Sequence, residues 1–412
     1  MNISLIEVFS YIFLIYGCVV LTPALGDGII LKLFILVAML LVAVAIAFKS
    51  RCTSRQGLFC VSLITSFYLY CLLLSVTGFS SAAMGRYANL FGFLAPLAIF
   101  YLIGNSFQDY RFGKKAIYLT IFIVLVVVTS NLKALFDNPS LLIKMNFVET
   151  DVDEYFNIAN TLQGAAWTLL GLMLLQVRDV SNNVKFIVLA IIGTYCLISS
   201  KTTILLLFGF CLVVMIVGRL SFKISLKSIG FTMLVASISV SIAIVYIPML
   251  NEIGYFDQLF NRLTALDKLL FGARVSAETV RLELAYVSIK TFISNPVIGV
   301  GYDFVDLMGD ANEARASGVG HHSEVIDFLA RFGLVGFFVF WLILKPFFIS
   351  LLSHREKSYT LFPILIFIIM YSLLNNVISF EFGLVIFMIL PIFSRYAPGN
   401  LHVTKKSRKK AH

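Results

Sequence analysis

Two adjacent histidines, His321 and His322, open the stretch "HHSEVIDFLARFG", which directly precedes the apolar run "LVGFFVFWLIL". Histidine ordinarily exchanges a proton near neutral pH, so either residue could serve as a general base or acid. Glu324 and Asp327 follow closely. They could orient a histidine or a substrate, or simply satisfy the preference of a helix N-terminus for negative charge. The stretch therefore indicates a proton-transfer site, with a polar helix cap as the alternative.

Basic residues in the same part of the chain indicate an anion site. The segment from about residue 251 to 332 carries seven Lys and Arg residues against eleven Asp and Glu residues, so it is not a general polybasic surface. Selected arginines, Arg274 and Arg281 among them, are expected to bind a specific anion, because the guanidinium fork matches phosphate oxygens. For Arg281, an ion pair with Glu278 on the same helix is the alternative.

Two further cations, Lys201 and Arg86, lie near the ends of long apolar runs. An ionisable side chain at such a position is a candidate for substrate binding, although Lys and Arg at span ends also extend harmlessly toward water. The interiors of the predicted spans are nearly free of charge apart from Glu7 and Lys345.

The elements that must position these residues follow from the composition. Of the 412 residues, 59% are hydrophobic and 13% are charged, and the apolar residues form repeated blocks long enough to cross a membrane core about 30 Å thick. Continuous runs such as "AIYLTIFIVLVVV" predict helices, because a lipid-exposed backbone must satisfy its own hydrogen bonds and barrel strands alternate. The sequence predicts an all-α polytopic membrane protein. Its twelve predicted spans are residues 4–22, 29–48, 58–77, 89–104, 116–134, 158–176, 184–199, 202–218, 229–249, 333–352, 360–378 and 380–396.

Charge distribution predicts the orientation of these spans. The net charge of +10 comes largely from Lys and Arg in alternate short loops and in the basic tail at 397–412, which argues against a nucleic-acid partner. The positive-inside rule then places both termini in the cytoplasm. Residues 1–249 form nine spans with an acidic outer loop at about 133–157, residues 250–332 form a large outer-face loop, and residues 333–396 form three further spans.

A loop as long as 250–332 is expected to contain structure and to carry the function. Residues 276–293 have two apolar stripes at helical spacing, which predict a helix packed on both sides. Pro296, Gly299 and Gly301 then predict a turn, and a second short helix over 322–332 is expected to end at Gly333.

The segment "VRLELAYVSIKTFISNPVIGVGYDF", a polar loop and "HHSEVIDFLARFGLVGFF" together resemble the signature region of the O-antigen ligase and polymerase superfamily, the Wzy and WaaL enzymes. The features are an Arg at the start of a helix, an Asn-Pro and Gly-Val-Gly turn, and a His with a Gly eleven positions later opening a span. They lie at Arg281, Asn295, Pro296, Gly299, Gly301, His322 and Gly333. The chain departs from the family at Ala285, where a bulky aromatic is common, and at Lys201, where an Arg is common.

This resemblance implies a glycosyltransferase on the outer face of the bacterial plasma membrane, with an undecaprenyl-pyrophosphate-linked oligosaccharide as donor. Charge developing on the departing pyrophosphate would be stabilised by basic residues, and a base would deprotonate the acceptor hydroxyl. The implied reaction is a direct displacement with inversion that needs no metal and no cofactor. The implied roles are catalytic for His322 and Arg281, pyrophosphate-binding for Arg274, Lys201 and Arg86, and orienting for His321, Glu324 and Asp327.

The resemblance leaves three functions open. A polymerase would join repeat units of O-antigen or a related surface polysaccharide, and the polar loop before "HSE" followed by "GLVG" favours it. A ligase would transfer the finished glycan to lipid A-core in lipopolysaccharide biosynthesis. A glycolipid transporter or flippase would instead show repeated halves and charged residues at mid-membrane. Membrane lipid is an expected partner in each case, and a chain-length regulator is a further expected partner of a polymerase.

Overall fold

The computed structural model describes residues 4–22, 28–50, 54–74, 81–104, 110–137, 161–177, 180–198, 202–219, 276–301, 319, 323–352 and 355–396. These residues form helices joined by turns and loops, and they contain no strand. Its α-helices are α1 (Leu5–Leu21), α2 (Ile29–Ser50), α3 (Arg55–Leu74), α4 (Ser81–Ile103), α5 (Tyr110–Phe122), α6 (Thr129–Asp137), α7 (Thr161–Gln176), α8 (Asn182–Ile198), α9 (Thr202–Arg219), α10 (Ser276–Ser294), α11 (Glu324–Leu352), α12 (Arg355–Leu374), α13 (Phe380–Leu384) and α14 (Leu390–Tyr396). Short π-helical segments, Ile123–Val128 and Val385–Ile389, connect α5 to α6 and α13 to α14.

These helices agree with the predicted membrane spans wherever the two can be compared. A helix overlaps every predicted span except the ninth, residues 229–249, which lies outside the described residues. Within the described ranges, five helical segments are long and apolar enough to cross a membrane on their own: Ile29–Lys49, Arg55–Leu74, Gly85–Ile103, Gly113–Lys133 and Glu324–Leu352. The chain is therefore a helical, multi-pass membrane protein, and the number of twelve spans stays a prediction.

The helices differ in how they are buried, and the difference defines the interior of the bundle. Helix α7 is buried at every position from 163 to 177, as is the segment 379–394 that includes α13. The Trp167 indole is completely buried, and its Nε1 donates a hydrogen bond to the Leu21 carbonyl oxygen at 2.9 Å. By contrast, α2, α3 and α11 expose rows of large apolar side chains, such as Ile30 and Phe338. Exposed apolar rows of this extent on long helices are the surface that a protein presents to lipid.

A buried ion pair joins α2 to α13. Lys32 Nζ lies 3.2 Å from Glu381 Oε1, and both side chains are almost fully buried. The Lys32 ammonium also lies 5.6 Å from the centre of the Phe380 ring, within the range of a cation–π interaction. The pair adds two charges to the predicted spans, whose interiors are expected to be nearly free of charge apart from Glu7 and Lys345. Both residues of the pair stand in the first turn of their helices, so the pair lies near a span end and not at mid-membrane.

Breaking this ion pair on one side should destabilise the bundle. Lys32→Met leaves the Glu381 carboxylate buried without its partner, and we expect a loss of about 3 to 5 kcal/mol in unfolding free energy. The double variant Lys32→Met with Glu381→Leu should recover most of that loss, because two apolar side chains no longer require compensation. Unfolding in detergent micelles measures both. If the double variant loses as much unfolding free energy as Lys32→Met and Glu381→Leu lose in sum when each is measured alone, the two side chains are not coupled.

Candidate active site

Helices α10 and α11 are joined by a hydrogen bond between two buried side chains. Ser288 Oγ donates to Asp327 Oδ1 at 2.6 Å, and the Asp327 side chain is only 1% exposed. The other carboxylate oxygen, Oδ2, accepts from the Ser323 backbone N–H at 3.2 Å. Asp327 thus connects α10, the helix that contains Arg281, to the residue that directly follows His322.

Glu324, the first residue of α11, connects that helix to the loop between α12 and α13. Its carboxylate oxygen Oε2 accepts hydrogen bonds from the backbone N–H groups of Val377 and Ile378, at 2.9 and 3.0 Å. Its own backbone N–H donates to the Asn375 carbonyl oxygen at 3.3 Å, and Arg331 Nη1 lies 3.6 Å from Oε1. These contacts hold the start of α11 against the adjacent end of the bundle.

The Asn-Pro and Gly-Val-Gly turn after α10 is interlocked with the kink in α11. Backbone N–H groups of Leu334 and Val335 donate to the carbonyl oxygens of Pro296 and Val297, at 2.8 and 3.1 Å. On the return of the turn, Gly301 N–H donates to the Arg331 carbonyl oxygen at 2.7 Å. Two segments that are distant in sequence therefore pair along their backbones.

Glycine is required on both sides of this interlock. Gly333 has φ 60° and ψ −168°, a conformation that is essentially restricted to glycine, and it interrupts α11 as the sequence predicted. A Cβ at Gly333 would collide with the Val297 carbonyl group, and a Cβ at Gly299 would collide with the Arg331 carbonyl group. Gly299 of the turn and Gly333 of α11 therefore both allow the same two backbone segments to approach each other closely.

Replacing Gly333 should open this interlock. Gly333→Ala combines an unfavourable φ with a collision against a backbone carbonyl, so we expect a loss of at least about 2 kcal/mol in stability. Gly209→Ala in α9 is the matched control, because a Cβ there meets no atom within 4 Å and alanine favours a helix. Thermal unfolding in detergent compares the two. Equal stability of both variants would contradict the assigned role of Gly333.

Helix α3 supports the interlock through aromatic side chains. The Tyr70 hydroxyl donates to the Ile298 carbonyl oxygen at 3.0 Å and approaches the Phe332 carbonyl oxygen at 3.4 Å. Phe67, one turn earlier, packs against Phe328 and Phe332 with ring centres 6.0 and 5.7 Å apart. The end of α3 therefore fixes the position of both the turn and the kink.

Only some of the predicted catalytic and binding residues lie in the part of the chain that the structure describes. Residues 321 and 322 lie outside the described residues, as do Arg274 and Lys201. Arg281 lies in α10, seven residues before Ser288, which is two helical turns and about 10 Å along the axis on the same face of the helix. The clamp at Ser288 and Asp327 therefore connects the helix of Arg281 to the residue after His322. Their catalytic roles stay predictions.

Arg86 lies at the same end of the bundle. It is half-buried in α4, and the hydroxyl of its neighbour Tyr87 donates to the Cys71 carbonyl oxygen at 2.8 Å. The Tyr68 hydroxyl donates in turn to the Tyr87 carbonyl oxygen at 3.3 Å. Residues 68 to 71 of α3 therefore contact both the neighbour of Arg86 and, through Tyr70, the turn after α10.

Sequence reasoning missed two groups that build this site. Ser288 is not among the predicted site residues, and its position one helical turn after the apolar Leu284 was the available signal. The loop at 375–378 gave no signal, because Glu324 contacts its backbone and not its side chains.

The predicted packing of α10 on both sides is wrong. Leu284 and Ser288 are buried, whereas Tyr286, Ile289 and Ile293 are exposed.

Removing the Asp327 carboxylate should loosen the junction between α10 and α11. Asp327→Ala deprives the Ser288 hydroxyl and the Ser323 amide of an acceptor, and we expect a loss of about 1 to 3 kcal/mol in unfolding free energy. Asp327→Asn retains one oxygen and a similar shape, so its loss should be smaller. The measurement is the detergent unfolding curve of each variant. An Asp327→Ala protein as stable as wild type would rule out the clamp.

A protein-family model matches the part of the chain that contains most of the candidate site. Residues 186–341 match the protein-family model described as O-Antigen ligase. The matched range includes α10, the interlocked turn and the start of α11, together with every predicted site residue except Arg86. None of the curated proteins compared with the chain matches it significantly. The match over residues 186–341 supports the resemblance to the O-antigen ligase and polymerase superfamily, which in general implies glycosyl transfer from a lipid-linked glycan.

Proposed function

We propose that the protein is a polymerase that joins undecaprenyl-pyrophosphate-linked oligosaccharide repeat units into O-antigen or a related surface polysaccharide. The reaction takes place on the outer face of the bacterial plasma membrane, with both termini in the cytoplasm. The proposal is supported by the family match over residues 186–341 and by the resemblance of the "HSE" and "GLVG" segments to repeat-unit polymerases.

The observation that carries the proposal is that α10 and the turn after it are held to α11 at two places. An anion site on one helix and a base beside the other must keep a fixed separation if they are to act on one bond. The hydrogen bond from Ser288 to Asp327 and the backbone pairing from Pro296 to Leu334 supply that constraint. Both contacts are made by residues other than the proposed catalytic Arg281 and His322.

The proposed chemistry is a single displacement at the anomeric carbon of the donor. The acceptor hydroxyl oxygen attacks that carbon while the bond from the carbon to the pyrophosphate oxygen breaks, and its electron pair leaves with the lipid pyrophosphate. Arg281 stabilises the departing charge, assisted by Arg274, Lys201 and Arg86. His322 accepts the hydroxyl proton. Attack opposite the leaving group inverts the anomeric centre, without a metal or cofactor.

A ligase is the second candidate, because the matched family model carries the description O-Antigen ligase. Polymerase and ligase share the leaving group and the need for a base, and they differ in the acceptor. The ligase acceptor is lipid A-core, whereas the polymerase acceptor is a second lipid-linked repeat unit.

Deleting the gene in its native host and examining surface polysaccharide and lipid-linked intermediates on gels tests the proposal. Loss of a polymerase leaves core that carries a single repeat unit, and expression of the wild-type chain restores the ladder. Long polymer accumulating on undecaprenyl pyrophosphate beside bare core would identify a ligase. Repeat units accumulating on the cytoplasmic leaflet would instead identify a flippase and refute glycosyl transfer.

A further inference from the structure

Helix α10 has an apolar stripe that is exposed in the part of the chain that the structure describes. Tyr286 and Ile293 are 65% and 69% exposed, and Ile289 lies exposed between them on the same face. The stripe continues past the end of the helix into Val297 and Ile298, which are also exposed. We refer to these five residues as the α10 stripe. An isolated exposed apolar side chain needs no explanation, but a continuous row of five does.

The C-terminal end of the α10 stripe, Val297 and Ile298, contacts two membrane-spanning helices. We refer to this end as the tip of the stripe. The Val297 carbonyl accepts the backbone N–H of Val335, close to the kink from which α11 continues as a span. The Ile298 carbonyl accepts the hydroxyl of Tyr70, which lies one turn before the end of the spanning helix α3. Both contacts are made within helices that are apolar enough to cross a membrane. The tip of the stripe, Val297 and Ile298, therefore contacts two helices that are long and apolar enough to cross a membrane.

The α10 stripe is also continuous with surfaces that face lipid. Leu73 of α3, three residues after Tyr70, is 72% exposed, and Leu334 and Phe338 of α11 are exposed as well. Lys290 is an exposed cation on the same side of α10, where a long side chain can extend its ammonium to the headgroups while its stem stays in apolar surroundings. A continuous apolar surface with one such lysine is typical of a helix that lies in a membrane interface.

We propose that the α10 stripe inserts into the leaflet next to the N-terminus of α11, where the acyl chains of membrane lipids cover it. The helix is thereby anchored to the bilayer by its C-terminal end and by the turn that follows. This anchoring also gives a physical reason for the exposure of the stripe. The inference requires only that the chain spans the membrane, not that it transfers a glycan.

Insertion would set the height of Arg281 above the hydrocarbon. Arg281 precedes Ile293 by twelve residues, which is about 18 Å along a helix axis at 1.5 Å per residue. With Ile293 in the acyl chains, the opposite end of α10 projects toward the headgroups and the water beyond them. For the proposed function, this places an arginine in the zone that a lipid-linked pyrophosphate occupies.

Tryptophan fluorescence in vesicles of brominated phosphatidylcholine tests the insertion on the full-length chain. The background is Trp341→Phe, because Trp341 is itself half-exposed on α11, whereas Trp167 is buried and gives a constant signal. The reporter is Ile293→Trp. Phe338→Trp, on the lipid-facing side of α11, is the control for full lipid contact, and Asn182→Trp, at the exposed start of α8, is the control for water. Aqueous iodide probes each reporter independently.

We expect Ile293→Trp to be quenched by brominated lipid as strongly as Phe338→Trp and several times more strongly than Asn182→Trp. Tyr286→Trp, two turns further from the tip, should show weaker quenching. Quenching of Ile293→Trp by iodide and not by lipid would place the stripe in water and overturn the inference. Protection from both quenchers would also overturn it, because a protein surface would then cover the stripe. Lipid quenching in a protein without transferase activity would refute the proposed function and leave the insertion standing.

Discussion

Replacing Arg281 by alanine should reduce glycan transfer on the order of 10²- to 10³-fold while the protein remains folded in the membrane. The reason is the charge that develops on the departing pyrophosphate, which a positioned guanidinium stabilises more in the transition state than in the bound donor. Arg281→Lys keeps the charge and loses the fork, so its activity should fall between alanine and wild type. The measurement is the rate of glycan extension by purified protein in liposomes.

Two controls separate this role from a structural one. Lys290→Ala removes an exposed cation from the same helix and should retain wild-type transfer, because Lys290 lies nine residues beyond Arg281 and outside the proposed anion site. Glu278→Ala tests the alternative that Arg281 only forms an ion pair within α10. If Glu278→Ala lowers transfer as much as Arg281→Ala does, the phosphate-binding assignment fails.

His322→Ala should cause the second large loss, on the order of 10²- to 10⁴-fold, because the acceptor hydroxyl is a poor nucleophile unless its proton is removed during attack. The adjacent His321 is the matched control. His321→Ala removes a residue with an orienting role only and should lose much less activity than His322→Ala, because His322 is the residue with a glycine eleven positions later, as in the family signature. His322→Gln keeps polarity and approximate size, and should be as inactive as alanine.

Protein level and donor binding complete the test of His322. The variant should accumulate to the wild-type level and bind the lipid-linked donor with unchanged affinity, since a base acts only on the acceptor proton. Full transfer by His322→Ala at normal protein level would show that the two histidines form only a polar helix cap. A loss in His321→Ala with none in His322→Ala would exchange their roles.

The fold was predictable from the sequence because lipid imposes a simple constraint. Continuous apolar runs must form helices, and a helix overlaps every predicted span that the structure describes. The breaks at Pro296 and Gly333 were predictable because proline and glycine act through local backbone chemistry. Lys32 and Glu381 show the limit of this reasoning. Each is a single charge near the start of an apolar run, and only the tertiary structure reveals that they pair 349 residues apart.

The types of residue in the candidate site were predictable from the sequence, but the hydrogen-bond partners that hold them in place were not. Glu324 and Asp327 were candidates to orient a histidine, and the structure gives both of them partners in neighbouring elements. Those partners are a serine hydroxyl and backbone amides, which have no sequence signature. The error over α10 has a similar origin, because an apolar stripe looks the same in sequence whether protein or lipid is to cover it.

The central claim is that this protein forms glycosidic bonds at the expense of a lipid pyrophosphate. The most direct test supplies purified protein in liposomes with an undecaprenyl-pyrophosphate-linked repeat unit as the only glycan, and then counts released undecaprenyl pyrophosphate against bonds formed. A polymerase should yield a ladder of longer glycans with one lipid pyrophosphate released per bond, and neither product should appear with His322→Ala. Transfer that appears only after lipid A-core is added would assign a ligase. Intact donor under both conditions would contradict the account.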